Sequence, residues 1–463
     1  MRQIARHDVV FVAGTAGEHE LTWSQKAHER EGCRPHLHGP RNRNQRMARA
    51  LDSTPDMPAV LHAFARVMAH FEALRTLYPR DADGHPRAVV VASGVLRVDE
   101  YACAAPPTSD ELRALTLRLA EPGFGPDDLP LRAAVVTVDG RPLHIALSLH
   151  HFSADTTAAR IVAERLARLA ADPGADLGTG WQPRQIASFE GSPSGLRHAH
   201  RVDAHDRAVL RQSVMPELQL PANHTGGSGG LYNFVCLDSA AVALAAADLA
   251  KQYRTSVAAV LQAAYACVLA EHLGIAKCVF NTVMANRQTT FAREAVAHVA
   301  GRVLVPVDTS LGGERFPALC RAVDAALLAS SSVSLREPER YARSLDEVSD
   351  ELGRSADNPY MVNIRPIAPR TLIRARADRA RRDFERAMES SRYGRFPKTA
   401  DTYAGKLCFV VWDMSETAGI SLGTDAASFD ATDLEQILRS FEERLVGRAI
   451  GAHGARSGAF AGA

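Results

Sequence analysis

With 463 residues, 46% hydrophobic and 23% charged, the chain has globular composition and enough length for two or three compact units, which excludes a disordered or low-complexity protein. A formal net charge of +1 gives no reason in the bulk balance to expect a nucleic-acid or membrane surface. No apolar run approaches the roughly 18 to 20 residues that span a bilayer, and the run from Val9 to Ala13 is too short for a signal segment, so the expected location is cytoplasmic.

Strand-length apolar runs alternate with amphipathic stretches, which predicts an α/β fold of mixed sheets flanked by helices. Ala133 to Val138 reads as a strand, Asp139-Gly140 as a turn, and Leu143, Ile145, Leu147 and Leu149 alternate as a second strand that ends at His150-His151. From Thr156 to Leu169, Ala158, Val162, Leu166 and Leu169 recur at helical spacing. Between Ala171 and Gly195 the turn signals Asp172-Pro173-Gly174 and Gly191-Ser192-Pro193 predict loop, with a change of lobe near residue 180. The second half predicts a strand over 231–237, helices over 240–253 and 257–272, a strand over 278–284, a last strand over 407–412 and a helix over 434–445. Residues 451–463, rich in small side chains, read as a frayed tail. No short period indicates a solenoid.

Cys33, Cys103, Cys236, Cys267, Cys278, Cys320 and Cys408 are odd in number and lack CxxC spacing, which reads as reduced thiols. Cys33, His36 and His38 offer three metal-type ligands, but no second pair closes a zinc site, so no metal is expected. Gly226-Gly227-Ser228-Gly229-Gly230 fits the GxSxG of hydrolases, yet it precedes a strand where the nucleophile turn needs a helix, and a loop is the better reading. No phosphate loop or dinucleotide fingerprint is present. From Arg365 to Lys398, eleven basic residues face four acidic ones. This is either a solvated helix face or a landing site for an acidic partner or a phosphate, with Arg374, Arg376, Arg379, Arg381 and Arg382 as the candidates.

The chemistry-bearing feature is the histidine pair followed by Asp155 at a strand-to-helix junction. Imidazole titrates near neutrality and can take the proton of an attacking amine or hydroxyl; the plain alternative is a loop pair held by backbone hydrogen bonds. His150-His151-Phe152-Ser153-Ala154-Asp155 resembles the HHxxxD motif of condensation domains, in the chloramphenicol-acetyltransferase-like superfamily. Leu21-Thr22-Trp23-Ser24-Gln25 looks like that family's LSxAQ segment, and Phe71 to Tyr78 is similar to HExLRTxF. Val283 to Arg287 and Val299 to Asp308 resemble two later segments, so the likeness runs over about residues 8–450.

The resemblance implies a free-standing nonribosomal-peptide-type condensation domain. Two acetyltransferase-like lobes, 1–180 and 181–450, would form a V with an active-site tunnel between them. His151 would be catalytic, with His150 beside it, and Asp155 structural, paired with Arg287. The donor would be an acyl or aminoacyl thioester on the phosphopantetheine of a carrier protein, passed to an amine or alcohol with no cofactor bound by this chain. Related alternatives are an acyl-CoA-dependent acyltransferase and a non-catalytic carrier-recruitment platform. Thr156 stands where the family has Gly, on the donor side, Ala27 where it often has Arg, and 356–359 matches only in part.

Overall fold

The computed structural model describes residues 1–30, 44–52, 54–213, 215, 231–365, 381–395, 398–399, 407–414, 417–425 and 429–460. In chain order the first elements are β1 (Arg2–Val12), β2 (Gly17–His19), α1 (Trp23–Arg30), β3 (Gln45–Ala50), α2 (Met57–His70), β4 (Thr76–Leu77), β5 (Ala88–Val90) and β6 (Ser93–Cys103). They continue with α3 (Ser109–Ala120), β7 (Leu131–Val138), β8 (Arg141–Leu149), α4 (Thr156–Ala171), α5 (Pro183–Glu190) and α6 (Pro193–Gln212). Five strands form a mixed sheet in the order β1-β6-β7-β8-β3, and β2-β5-β4 form a small second sheet. Asp139 and Gly140 both take positive φ, 50° and 74°, the tight-hairpin conformation that suits Asp-Gly and folds β7 onto β8.

Strand alternation decides which helix covers which face. Val135, Ile145 and Leu147 pack with Phe64 and Val67 of α2 and Val162 and Leu166 of α4. Ala134, Val136 and Ala146 pack with Leu115 and Leu119 of α3. Both faces of β7 and β8 are thereby buried, so the strand that leads into the histidine pair is held on all sides. Each helix starts on a side-chain cap: Asp56 accepts from Ala59 N, Thr108 and Glu111 form a capping box, and Asp155 accepts from Ala158 N.

The second set comprises β9 (Leu231–Ser239), α7 (Ala240–Tyr253), α8 (Val257–Leu273), β10 (Lys277–Met284), α9 (Thr290–Arg293), β11 (Gly301–Asp308), α10 (Phe316–Ser331), α11 (Pro338–Leu352) and β12 (Tyr360–Ile364). It ends with α12 (Arg381–Glu389), β13 (Arg392–Arg395), β14 (Lys398–Thr399), β15 (Leu407–Met414), β16 (Ala418–Asp425) and α13 (Ala431–Phe460). The sheet order is β11-β10-β12-β15-β16-β9-β13, with β14 also on β9. Helix α8 is buried from Ala259 to Ala270, because α7, α10 and α13 pack around it; Tyr265 stacks on Phe409 of β15 at 4.2 Å. No single helix among the described residues is long and apolar enough to cross a membrane. The six described cysteines are free thiols.

Four expectations are corrected. Residues 171–195 are not all loop: Gln182 caps α5 with Pro183 in its first turn, and Pro193 starts α6, so these prolines are helix starts and not breakers. The strand over 407–412 is not the last. Glycine-rich β16 lies between β15 and β9, and the rings of Trp412 and Phe234 fill the space where Gly419 and Gly423 lack a Cβ. Residues 451–460, expected as part of a frayed tail, are helical, since α13 runs to Phe460. Contacts divide the chain into Met1–His200 with Ala285–Gly301, and Arg201–Met284 with Arg302–Ala463. The boundary therefore falls inside α6 and not near 180, and a later segment belongs to the first unit because its contacts are made there.

Candidate active site

β8 ends at Leu149, and the chain turns sharply. Ser153 N and Ala154 N both donate to His150 O, at 3.0 and 3.1 Å, before α4 begins. The two histidines leave this turn in different surroundings. His150 is buried, with its ring against Phe124, Tyr78 and Phe152 at 5.2 to 6.2 Å. His151 is half-buried, and its Nδ1 lies 3.1 Å from Ala154 O. A carbonyl only accepts, so Nδ1 carries the proton, and in the neutral ring Nε2 carries the lone pair.

Asp155 turns the other way. Its two oxygens accept from Arg287 Nη2 at 2.8 and 2.9 Å, from Ala158 N at 2.8 Å, and from Val299 N and Ala300 N at 3.2 and 3.1 Å. Arg287 also donates to the carbonyls of Ala292, Ala295 and Ala297. Only 8% of the Arg287 side chain and 4% of that of Asp155 are exposed. The pair caps α4 and ties the segment Ala285–Gly301 to the histidine loop; both partners lie in the first unit. A carboxylate with these five contacts is spent on holding backbone, and the proton on His151 Nδ1 goes to a carbonyl instead. Asn286 supports the same segment from a left-handed φ of 53°, donating to Val299 O at 2.8 Å.

Other segments singled out in the sequence converge on this loop. Gln25 Nε2 donates to Phe152 O at 3.0 Å and to Tyr78 Oη at 3.1 Å, and Ser153 Oγ donates to Tyr78 Oη at 3.0 Å. Burial pushes the Tyr78 phenol well above its ordinary range, so it stays neutral. Arg75, from the Phe71–Tyr78 segment, is wholly buried and donates to Thr15 O, Thr15 Oγ1 and Val91 O. Thr156 Oγ1 donates to Gln45 Oε1 at 2.7 Å, which fastens the start of α4 to β3. Trp23 N donates to Glu190 at 2.7 Å; desolvation raises that buried carboxyl to about 8.

Sequence reasoning missed two residues. His298 stacks on His151 with centroids 4.8 Å apart and planes at 13°. His28 of α1 meets both rings edge-on, at 4.8 and 4.9 Å. The only sequence signal was that each lies beside a segment already singled out. No group of three or more His, Cys, Asp or Glu among the described residues is arranged to hold a metal ion. Cys33, His36, His38, Ser228, Arg374, Arg376 and Arg379 lie outside the described residues, as do the side chains of Arg381 and Arg382, which begin α12.

The family profile of the condensation domain matches residues 39–334, well over half of the chain. This chain belongs to the condensation-domain family. Among solved structures it is similar to the protein described for condensation-domain-mediated chain release from the enacyloxin polyketide synthase, at 16% identity and a TM-score of 0.70 over 95% of this chain and 83% of that one. It is also similar to SgcC5 from Streptomyces globisporus, at 16% identity and 0.70 over 93% and 98%. A third is the epimerization domain from the third module of tyrocidine synthetase B, at 12% and 0.64 over 95% and 99%. At these identities the likeness establishes the fold, which hosts more than one kind of domain. No curated protein matches the sequence.

Proposed function

We propose that this chain is a free-standing condensation enzyme that transfers an acyl or aminoacyl group from the phosphopantetheine thioester of a carrier protein to an amine or alcohol. The observation that carries the reading is the geometry of His151: a half-buried imidazole whose Nδ1 lies 3.1 Å from Ala154 O, which places the proton on Nδ1 and, in the neutral ring, the lone pair on Nε2, the nitrogen we assign as the base. As the acceptor nitrogen or oxygen bonds to the thioester carbonyl carbon, Nε2 takes its proton. The tetrahedral oxyanion then collapses, the carbon–sulfur bond breaks, and the departing sulfur receives that proton, so His151 is regenerated. Holding two substrates together supplies much of the rate. Family membership supports the carrier-bound donor.

The basic run from Arg365 to Lys398 is the proposed carrier contact, on its sequence. Reversing Arg374, Arg376, Arg379, Arg381 and Arg382 would raise KM for carrier-bound donor at low salt and leave small thioester mimics unaffected. The direct experiment is intact-mass analysis of loaded carrier proteins with candidate acceptors, with and without this protein. Loss of the acyl mass from the carrier with matching product supports the reading. Equal transfer from free acyl-CoA would make it a CoA-dependent acyltransferase, and tight carrier binding without product would make it a recruitment platform.

A further inference from the structure

We propose that β1 is a self-recognising edge: two copies of this chain pair antiparallel along β1, about a two-fold axis at His7, and join their five-stranded sheets into one. The inference goes beyond the acyl-transfer reading and uses residues of the first unit alone.

The strand is open on one side. β1 ends its sheet with β6 as its neighbour, and among the described residues no backbone group bonds to its other edge. Ala13 N donates to Ala92 O at 2.7 Å, continuing the register that sets Val12 opposite Ser93. Backbone direction alternates along an antiparallel ladder, so Val9, Phe11 and Ala13 turn their N–H and C=O to β6, while Arg6, Asp8, Val10 and Val12 turn theirs to the open edge. Such a row of unpaired groups is a template for another strand.

The outer face of the same strand is apolar where water would favour polar groups. Of the nine large hydrophobic residues exposed among the described ones, four lie on β1 and β6: Ile4 at 46%, Val10 at 65%, Val12 at 74% and Val95 at 48%. Val10 and Val95 stand directly opposite each other, on the side away from Val9 and Phe11, which face the core. Helix α3 covers that outer side over β7 and β8, yet the valines stay exposed. A bulge between Gln3 and Ala5 leaves Ile4 without a partner on β6.

Self-complementarity selects a second copy as the occupant. A slip by one residue would set outward side chains opposite inward ones, so outward must meet outward. With the axis at His7, Arg6 faces Asp8 of the second copy, Asp8 faces its Arg6, and Val10 faces its Ile4. Moving the axis to Arg6 or Asp8 sets like charges opposite each other, and moving it to Val9 sets Asp8 against Val10. Within one sheet Arg6 is already opposite Asp99, bonded at 2.7 Å, and Asp8 is opposite Arg97. A row across the joined sheets therefore alternates in sign: Asp99 and Arg6, then Asp8 and Arg97 of the second copy. On the inner side the two His7 rings meet at the axis, each turned to Glu100 of its own sheet at 2.8 Å.

The test is sedimentation equilibrium of the full chain over a wide range of concentration. Wild type should form a dimer and nothing larger, because a two-fold contact closes on itself. Asp8→Lys sets a cation opposite Arg6, and Arg6→Glu sets an anion opposite Asp8, each twice across the axis. Either variant alone should dimerise less tightly, on the order of tenfold or more. Mixed in equal amounts they regain opposite charges at both contacts, and a heterodimer tighter than either homodimer should form. Val10→Pro removes an N–H aimed at the open edge and no bond to β6, so it should also yield monomer; it serves if a charge variant fails to fold, as read by circular dichroism. A wild type that stays monomeric throughout would overturn the proposal and leave the edge to a strand of another protein. A dimer indifferent to all three substitutions, or a mixture no tighter than its components, would overturn it in favour of another surface.

Discussion

Removing Asp155 separates a structural carboxylate from a catalytic one. Asp155→Ala leaves a guanidinium with 8% exposure facing no anion, and breaking a buried pair from one side costs about 3–5 kcal/mol. It also uncaps α4, worth about 1 kcal/mol, and orphans the amides of Val299 and Ala300. Arg287→Ala keeps those backbone donors on the carboxylate but strips donors from three carbonyls, so its cost should lie at the low end of the same range. At about 2–4 °C per kcal/mol for a unit of 150–250 residues, Asp155→Ala should lower Tm by roughly 10 °C or more. The double variant should lose less than the sum, by about 1–3 kcal/mol. Thermal and urea unfolding of the two singles and the double measure this directly. Additive losses would refute the pairing as an energetic unit, and an unshifted Tm in Asp155→Ala would refute the structural role.

The histidines should divide by readout: His151→Ala should lower turnover by about two orders of magnitude, while His150→Ala, which empties a pocket between Phe124, Tyr78 and Phe152, should chiefly lower Tm. Equal small losses of turnover in both would sink the assignment. Glu190 gives a pH test. Its folded value of about 8 lies above the ordinary 4.5, so between these values the folded state binds more protons and stability falls as pH rises. Glu190→Gln keeps an acceptor for Trp23 N–H and lacks this loss, so its advantage in urea unfolding should grow from pH 5 to 9, to on the order of 4 kcal/mol; parallel pH curves would contradict it. At β16, Gly419→Ala places a methyl group in the Trp412 ring and should cost about 1–3 kcal/mol, a cost that vanishes in a Trp412→Ala background if that ring is the cause.

Local pattern reached the motif's own surroundings. Alternation gave β7 and β8, Asp-Gly gave their turn, 3.6-residue spacing gave α4, and the order of several segments carried the family resemblance. What it left out is what depends on contacts far apart in sequence. Asp155 and Val299 are 144 residues apart, and hydrophobic period, caps and turns contain nothing that pairs them; the Arg287 pairing entered through resemblance alone. For the same reason Ala285–Gly301 could not be assigned to the first unit from the sequence. β16 was invisible because its strand character comes from neighbouring aromatic rings filling the space above its glycines, not from its own side chains. α5 and α6 were hidden by prolines whose meaning, start or stop, depends on the turn that follows. His28 and His298 are ordinary histidines in their own segments. Only tertiary structure stacks one on His151 and sets the other on edge beside it, because the folded positions of α1 and of the stapled segment bring them there.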